Sequence, residues 1–154
     1  MRKIYSSADG EAKFINSKGE PENMKKKDIR FWLPTYQYFI ELPFRIIEAD
    51  AVSYLGSTRK NDMRYDRIMA SWNTLKPQRK IDQYILWINE DGILDFIEYT
   101  IRDQYGFLKG SASVNRFDII DGVWVPTEIE IMSNLGKEDL LHKMVFSNYV
   151  LRKG

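Results

Sequence analysis

His142 is the side chain that could act as a general base near neutral pH, because the sequence contains one histidine and no cysteine. A Ser/His/Asp triad would have to use it, yet no G-x-S-x-G motif occurs in the chain. His142 also lies within an apolar run that is typical of a β-strand. We therefore predict no catalytic residue and a protein that is not an enzyme, with a hydrolase based on His142 as the alternative.

Charged residues flank one predicted hairpin and could in principle do acid–base chemistry. Asp82 precedes this hairpin, and Glu98, Arg102 and Asp103 follow its second strand. Carboxylates beside a concave site can transfer protons, but ion pairs at the rim of a sheet are far more common. We interpret this group as structural. Without cysteine, a calcium-loop spacing or a glycine-rich phosphate loop, we predict no metal site and no cofactor.

The remaining candidates are aromatic and aliphatic side chains with no reactive group beside them in the sequence. Such an inert, apolar inventory is typical of a binding cavity rather than of a catalytic centre. The candidate ligand-binding residues are Phe31, Trp32, Tyr36, Phe39, Phe44, Trp72, Tyr84 and Leu86. The alternative is that these side chains fill an ordinary core, as aromatic stripes at helical spacing usually do.

Length and charge restrict the possible partners. A chain of 154 residues suits one domain, which we assign to 1–154. The net charge is +1 and the basic run Lys25–Lys27 is short, so we predict no nucleic-acid partner, which would need a clustered positive face. No apolar stretch approaches the roughly 20 residues of a membrane span.

The elements that must position these residues are mostly β-strands. The strands Asp82–Ile88 and Ile93–Ile101 flank Asn89–Gly92, whose residues tolerate positive φ, and this is a strong hairpin signal. Further strand-length runs recur every 10 to 15 residues with turn residues between them, which predicts an antiparallel sheet whose sequence neighbours pair. The strand Asp82–Ile88 is apolar on both faces and is predicted to be central.

Two other regions differ from this meander. We predict a short N-terminal hairpin from Lys3–Tyr5 and Ala12–Ile15, followed by a polar loop over 20–28. A short helix is predicted from Pro34 to Leu42, because proline suits the first turn and Pro43 should stop or kink the helix.

Five segments of the chain carry a resemblance to a known family. They are Leu42–Ile46 (LPFRI), Met63–Ile68 (MRYDRI), Asp82–Ile88 (DQYILWI), Glu98–Asp103 (EYTIRD) and Ile120–Thr127 (IDGVWVPT). In the last of these, a turn glycine precedes a strand that carries a proline. Together they span about two thirds of the chain and resemble the LolA-like superfamily, which includes lipoprotein carriers and uncharacterised Gram-negative envelope proteins.

This resemblance implies a mainly β (α+β) fold in which a curved antiparallel sheet forms an unclosed half-barrel with a short helix across its concave face. In the carriers, the concave face is an apolar cavity for acyl chains. The chain would be periplasmic or associated with the outer membrane once a leader is removed. Compared with the family, this sequence is short at its N-terminal end and shows no leader or lipidation cysteine. We would expect these departures if the chain were truncated.

These arguments lead to two expectations for function. The first is a non-enzymatic envelope domain that binds an acyl chain, a lipid or the lipid of a lipoprotein in its concave face. The alternative is a structural or protein-interaction domain whose cavity is filled by its own aromatic core. The open edges of the sheet would allow pairing with a second copy of the chain.

Overall fold

The chain was analysed as a computed structural model that describes residues 3–6, 12–15, 21–22, 26–102, 108–133 and 139–148. It forms two compact units, Met1–Leu42 and Pro43–Gly154. The predicted single-domain organisation stays a prediction.

The first unit contains a small antiparallel sheet in the order β1–β2–β3. Its strands are β1 (Lys3–Ser6), β2 (Ala12–Ile15) and β3 (Pro21–Glu22). The predicted N-terminal hairpin is confirmed, since Lys3 pairs with Ile15 and Ser6 with Ala12. Strand β3 falls in the segment predicted to be a loop, because two residues headed by a proline carry no strand pattern in the sequence.

The helix is longer than predicted and both of its predicted ends are wrong. Helix α1 spans Lys26–Arg45 and passes through Pro34 and Pro43, and a 3₁₀ turn, Ile46–Glu48, follows it. An interior proline costs about 3 kcal/mol through one lost hydrogen bond and a steric clash. Phe39 and Leu42, one turn apart, are buried, and burying a large apolar side chain contributes about 1.5–3 kcal/mol. Their burial stabilises the helix on the N-terminal side of Pro43.

The second unit is built on one antiparallel sheet of seven strands, which we call the main sheet. The strands are β4 (Ala51–Lys60), β5 (Met63–Ser71), β6 (Gln83–Asn89), β7 (Leu94–Ile101), β8 (Leu108–Ile120), β9 (Val123–Met132) and β10 (Leu140–Val145). Their order is β10–β9–β8–β7–β6–β5–β4, so each strand pairs with its neighbour in sequence. The prediction of a mainly β, unclosed, half-barrel-like antiparallel sheet is confirmed.

The β6–β7 hairpin and the β8–β9 hairpin form at the turn residues that predicted them. Gly92 has φ +79° in the β6–β7 turn, and Gly122 has φ +81° in the β8–β9 turn. In the first of these, the Asn89 side-chain oxygen accepts hydrogen bonds from the backbone N–H groups of Asp91 (3.0 Å) and Ile93 (2.9 Å). Asparagine and glycine at such positions are favoured because they close the turn locally and tolerate positive φ.

The first hairpin of the main sheet differs from the prediction. The sequence suggested that a strand from Ala51 ends at Gly56, but β4 continues to Lys60 and turns at Asn61 and Asp62, both with positive φ. Gly56 instead has φ +86° within a register shift between Tyr54 and Ser57, as in a β-bulge. Glycine marks bulges as well as turns, so its position in the sequence could not distinguish them.

Alternation along the strands separates the two faces of the main sheet. One face, called the apolar face here, carries Ala70 on β5, Tyr84 and Leu86 on β6, and Ile97 and Tyr99 on β7, all buried. Register joins them in rows, because Tyr84 pairs with both Ala70 and Tyr99, and Leu86 pairs with Ile97. The row through Leu86 continues to Ala112 and Ile131, which are also buried.

Gly110 allows Tyr99 to lie flat across its neighbouring strand. The two residues pair between β7 and β8, and a Cβ at Gly110 would lie 2.6 Å from the Tyr99 hydroxyl oxygen and 2.8 Å from its Cζ. The sequence suggested that Gly110 precedes a strand, but it lies inside β8 and its backbone is not left-handed. Its role is close approach, since the missing side chain makes room for the ring.

We predict that Gly110→Ala lowers the free energy of unfolding by about 1–3 kcal/mol, because the added methyl overpacks a buried ring. Urea unfolding followed by circular dichroism measures the change. In a Tyr99→Leu background the same substitution should cost clearly less. Equal costs in the two backgrounds would mean that the Tyr99 ring is not the obstacle.

Candidate functional site

The structure brings three of the predicted ligand-binding residues together on one part of the main sheet. Tyr84 and Leu86 lie two residues apart on the apolar face of β6. Trp72 follows β5, and its ring packs edge-to-face on Tyr84 at 5.9 Å between ring centroids. Tyr84 is 1% exposed whereas Trp72 is half-buried. The three side chains therefore form an aromatic and aliphatic surface, with Trp72 as its solvent-facing part.

The other predicted residues lie in helix α1. Tyr36 is half-buried and Phe39 is buried, with Phe39 packing edge-to-face on Tyr38 at 6.2 Å. Phe44 is 43% exposed. The side chains of Phe31 and Trp32 lie outside the described part of the chain. Their membership of one cavity with Tyr84 stays a prediction.

The apolar face continues to β4 at the free edge of the sheet. The residues of this edge were not among the predicted ligand-binding residues. Val52 on β4 pairs with Ala70, and Tyr54 pairs with Ile68, so both belong to the rows of Tyr84 and Leu86. Val52 is 55% exposed and Tyr54 is 61% exposed. The alternation of β4 could have suggested these residues, but only the register places them beside Tyr84.

A polar pocket lies elsewhere in the same unit, where β8, β9 and the residues after β10 meet. Its volume is about 310 Å³ and its lining includes Arg116, Asp118, Thr127 and Phe146. None of the predicted ligand-binding residues lines it. Because Arg116 and Asp118 already pair at 3.3 Å, the lining has little net charge to offer an ionic ligand.

The opposite face of the main sheet holds a second aromatic cluster. Tyr65, Trp87 and Phe96 pack edge-to-face with ring centroids 5.4–6.3 Å apart. The Arg67 guanidinium lies 5.6 Å from the Trp87 ring, and Lys60 Nζ lies 4.4 Å from the Phe96 ring. Rings covered by their neighbours and by cationic side chains form a packed layer, which is a stabilising arrangement rather than a cavity.

Two of the charged residues around the central hairpin accept hydrogen bonds, one from the backbone and one from a buried side chain. Asp82 Oδ1 accepts a hydrogen bond from the Arg102 backbone N–H at 2.6 Å. Glu98 Oε1 accepts one from Trp87 Nε1 at 2.8 Å. Asp103 lies outside the described residues. For Asp82 and Glu98 these contacts agree with the structural interpretation made from the sequence.

His142 lies on β10 opposite Ile131, in the row that holds Leu86. Burial lowers its pKa, so the imidazole is mainly neutral at neutral pH. In the described residues no three histidine, cysteine, aspartate or glutamate side chains are placed to hold a metal ion. None of the described helices combines the length and apolar character needed to cross a membrane.

Comparison with known proteins finds no matching family model, no matching curated protein and no matching solved structure. The resemblance to the LolA-like superfamily therefore stays a prediction from the five quoted segments. The fold and the apolar face stand on the structure alone.

Burial beside Tyr84 raises the pKa of Tyr99 to about 12. The unfolded chain releases this proton near pH 10, whereas the folded chain holds it until about pH 12. The unfolded state thus binds fewer protons over this interval. We predict that the free energy of unfolding falls as the pH rises from 10 to 12 and is unaffected by Tyr99 below pH 10.

Urea unfolding at a series of alkaline pH values, on the native chain and on Tyr99→Phe, measures this dependence. The variant should lose stability less steeply, although Tyr36 and Tyr65, whose pKa values burial also raises, keep part of the slope. The same slope in both proteins would contradict the assignment to Tyr99.

Proposed function

We propose that this protein is a non-enzymatic domain that binds an apolar ligand, an acyl chain or another lipid group, on the apolar face of its main sheet. The accessible part of the site consists of Val52 and Tyr54 at the open edge together with the half-buried Trp72, and the buried Tyr84 and Leu86 belong to the same face beside them. The resemblance of the sequence to lipoprotein carriers supports the choice of an acyl chain as the ligand. It is also the basis for proposing an envelope location, in the periplasm or at the outer membrane.

The observation that carries the proposal is the continuity of the apolar face. The row from Tyr99 through Tyr84 and Ala70 ends at Val52, which is 55% exposed. In an ordinary core the apolar face would end in polar residues before it reached solvent. Tyr99, Tyr84 and Ala70 are already buried, so an acyl chain would lie against Val52 and the half-buried Trp72 and remove these side chains from water, with a gain of about 25 cal/mol per Å² of apolar surface buried.

The chemistry of this surface favours binding over catalysis. Its polar groups include the hydroxyls of Tyr84 and Tyr99, the indole N–H of Trp72 and the Tyr54 hydroxyl, which donates a hydrogen bond to the Asp66 carboxylate at 2.9 Å. Burial raises the pKa of Tyr99, so this phenol stays protonated and is a poor nucleophile at neutral pH. Apolar walls with few polar groups are typical of sites for small hydrophobic molecules.

The proposal predicts that the purified chain binds a fluorescent fatty-acid probe and that Val52→Ser weakens binding roughly three- to tenfold, as expected for losing contact with an aliphatic side chain. Probe displacement by an unlabelled fatty acid confirms that the site is saturable. Native mass spectrometry of protein purified without detergent gives the number of ligands bound.

Val145→Ser is the matched control, because Val145 is also an exposed valine on an edge strand. It is 51% exposed, but it pairs with Glu128 and lies on the opposite face of the sheet. This variant should bind the probe as the native chain does. No saturable binding by the native chain would overturn the proposed function, and equal losses in the two variants would move the site away from the apolar face.

A second candidate function is interaction with another protein chain, and the exposed edges favour it. Leu140, Leu141 and Val145 on β10 are each more than half exposed, as are Val52 and Tyr54 on β4. Pairing of two copies through these edges would cover both groups. However, register shifts interrupt β4 and β10 and reduce the length of regular edge available for pairing.

This candidate predicts a dimer whose mass, measured by light scattering, changes with protein concentration. Leu141→Asp would shift the equilibrium to the monomer without changing fatty-acid binding. If the chain is a monomer at all concentrations and binds the probe saturably, the interaction function is excluded and the ligand-binding function is the one that stands.

A further inference from the structure

One face of the β4–β5 hairpin changes from apolar to cationic along its length. Residues two apart on a strand share a face, and their cross-strand partners lie on the same face. Four such pairs of the apolar face follow one another from the base of the hairpin to its turn. They are Val52 with Ala70, Tyr54 with Ile68, Ser57 with Asp66, and Arg59 with Arg64. We call these side chains the edge stripe.

The edge stripe is accessible from its apolar end to its charged end. Strand β4 is the terminal strand of the main sheet in the described part of the chain. Its members of the stripe, Val52, Tyr54, Ser57 and Arg59, are all exposed, as is Arg64 on β5. A ligand that lies along the stripe would therefore contact exposed side chains on a single face of the sheet.

Hydrogen bonds join the apolar part of the edge stripe to its charged part. The Tyr54 hydroxyl donates to Asp66 Oδ1 at 2.9 Å, and Ser57 Oγ donates to the same oxygen at 2.5 Å. Arg64 Nη2 donates to Ser57 Oγ at 3.0 Å and lies 3.6 Å from Asp66 Oδ1. These contacts orient the Tyr54 ring in the row of Ile68 and hold the Arg64 guanidinium on the same face.

The charged part of the edge stripe has one positive charge in excess. Its carboxylate, Asp66, already interacts with Tyr54, Ser57 and Arg64. Arg59 pairs directly with Arg64 across the hairpin and forms no ion pair with a described residue. Like charges directly opposite one another destabilise a sheet. A single negative charge placed between the two arginines would balance the stripe.

We propose that the ligand of the edge stripe is a fatty acid, whose carboxylate lies between Arg59 and Arg64 and whose acyl chain runs over Tyr54 towards Val52. This inference rests on the proposed function and adds the head of the ligand and its orientation. A guanidinium presents parallel N–H donors that match the two oxygens of a carboxylate. Arg64 precedes Ile68 by about 13 Å along β5, at a rise of about 3.3 Å per residue, which an extended acyl chain can cover.

The test compares three ligands that share a decyl chain and differ in the charge of the head. They are decanoate, decanol and decylammonium, each used below its micelle concentration and solubility limit. Isothermal titration calorimetry gives the affinity of the native chain for each. Decanoate should bind roughly three- to tenfold more tightly than decanol, as expected for one or two ion pairs near solvent, and decylammonium should bind least tightly. Added salt should reduce these differences.

The double variant Arg59→Gln with Arg64→Gln should lose the preference for decanoate and keep its affinity for decanol. The matched control is Lys76→Gln with Lys80→Gln, which removes the same charge from two exposed residues beyond the other end of β5. The control should keep the preference. Asp66→Asn removes the carboxylate that faces Arg64, so this variant should bind decanoate more tightly than the native chain does.

The outcomes separate this inference from the function on which it rests. Equal binding of decanoate and decanol, tighter binding of decylammonium than of decanoate, or the same loss of preference in the control and the arginine variant overturns the fatty-acid inference while acyl binding stands. Unchanged or weaker binding of decanoate by Asp66→Asn overturns it as well. Binding of none of the three ligands by a folded native chain overturns the proposed function and this inference with it. Thermal unfolding of each variant confirms that the substitutions leave the fold intact.

Discussion

The fit of two large rings between two small residues is the constraint on which the main sheet depends. Tyr84 and Tyr99 are paired at the centre of the sheet, with Ala70 on one side and Gly110 on the other. Both tyrosines are buried, the Tyr99 ring reaches over Gly110, and the Tyr84 ring packs against Trp72. This alternation of large and small residues sets the register of β5 to β8, and a shift of one residue would move every apolar side chain to the opposite face.

The two faces of the main sheet differ in how their aromatic side chains are covered. On the opposite face, Trp87 is covered by Tyr65, Phe96 and Arg67, and its indole N–H is satisfied by Glu98. That layer is complete. The apolar face has no such cover at β4, where its rows reach solvent. The exposure of Val52 and Tyr54 at this edge is the feature on which the proposed function rests.

Local sequence signals predicted the hairpin turns correctly. They predicted the positions of Gly56 and Gly110 and the end of the helix incorrectly. Asn89 and Gly92 close the central turn through contacts that the sequence motif encodes directly. Gly56 and Gly110 were placed at strand ends because glycine usually marks turns, but one lies in a bulge and the other makes room for a ring. The helix was ended at Pro43 for a similar reason. At Gly110, the contact with Tyr99 on the neighbouring strand outweighed the local preference.

The sequence by itself determined the class of the fold, the antiparallel pairing of neighbours and the apolar character of both faces of the central strand, because turn chemistry and two-residue alternation are local properties. The tertiary structure decided which candidate residues meet. Trp72 packs on Tyr84, Tyr84 and Leu86 share one face, and the register extends the rows of that face to Val52 and Tyr54. Register and strand order join residues far apart in the chain, and no local pattern in the sequence encodes those pairings.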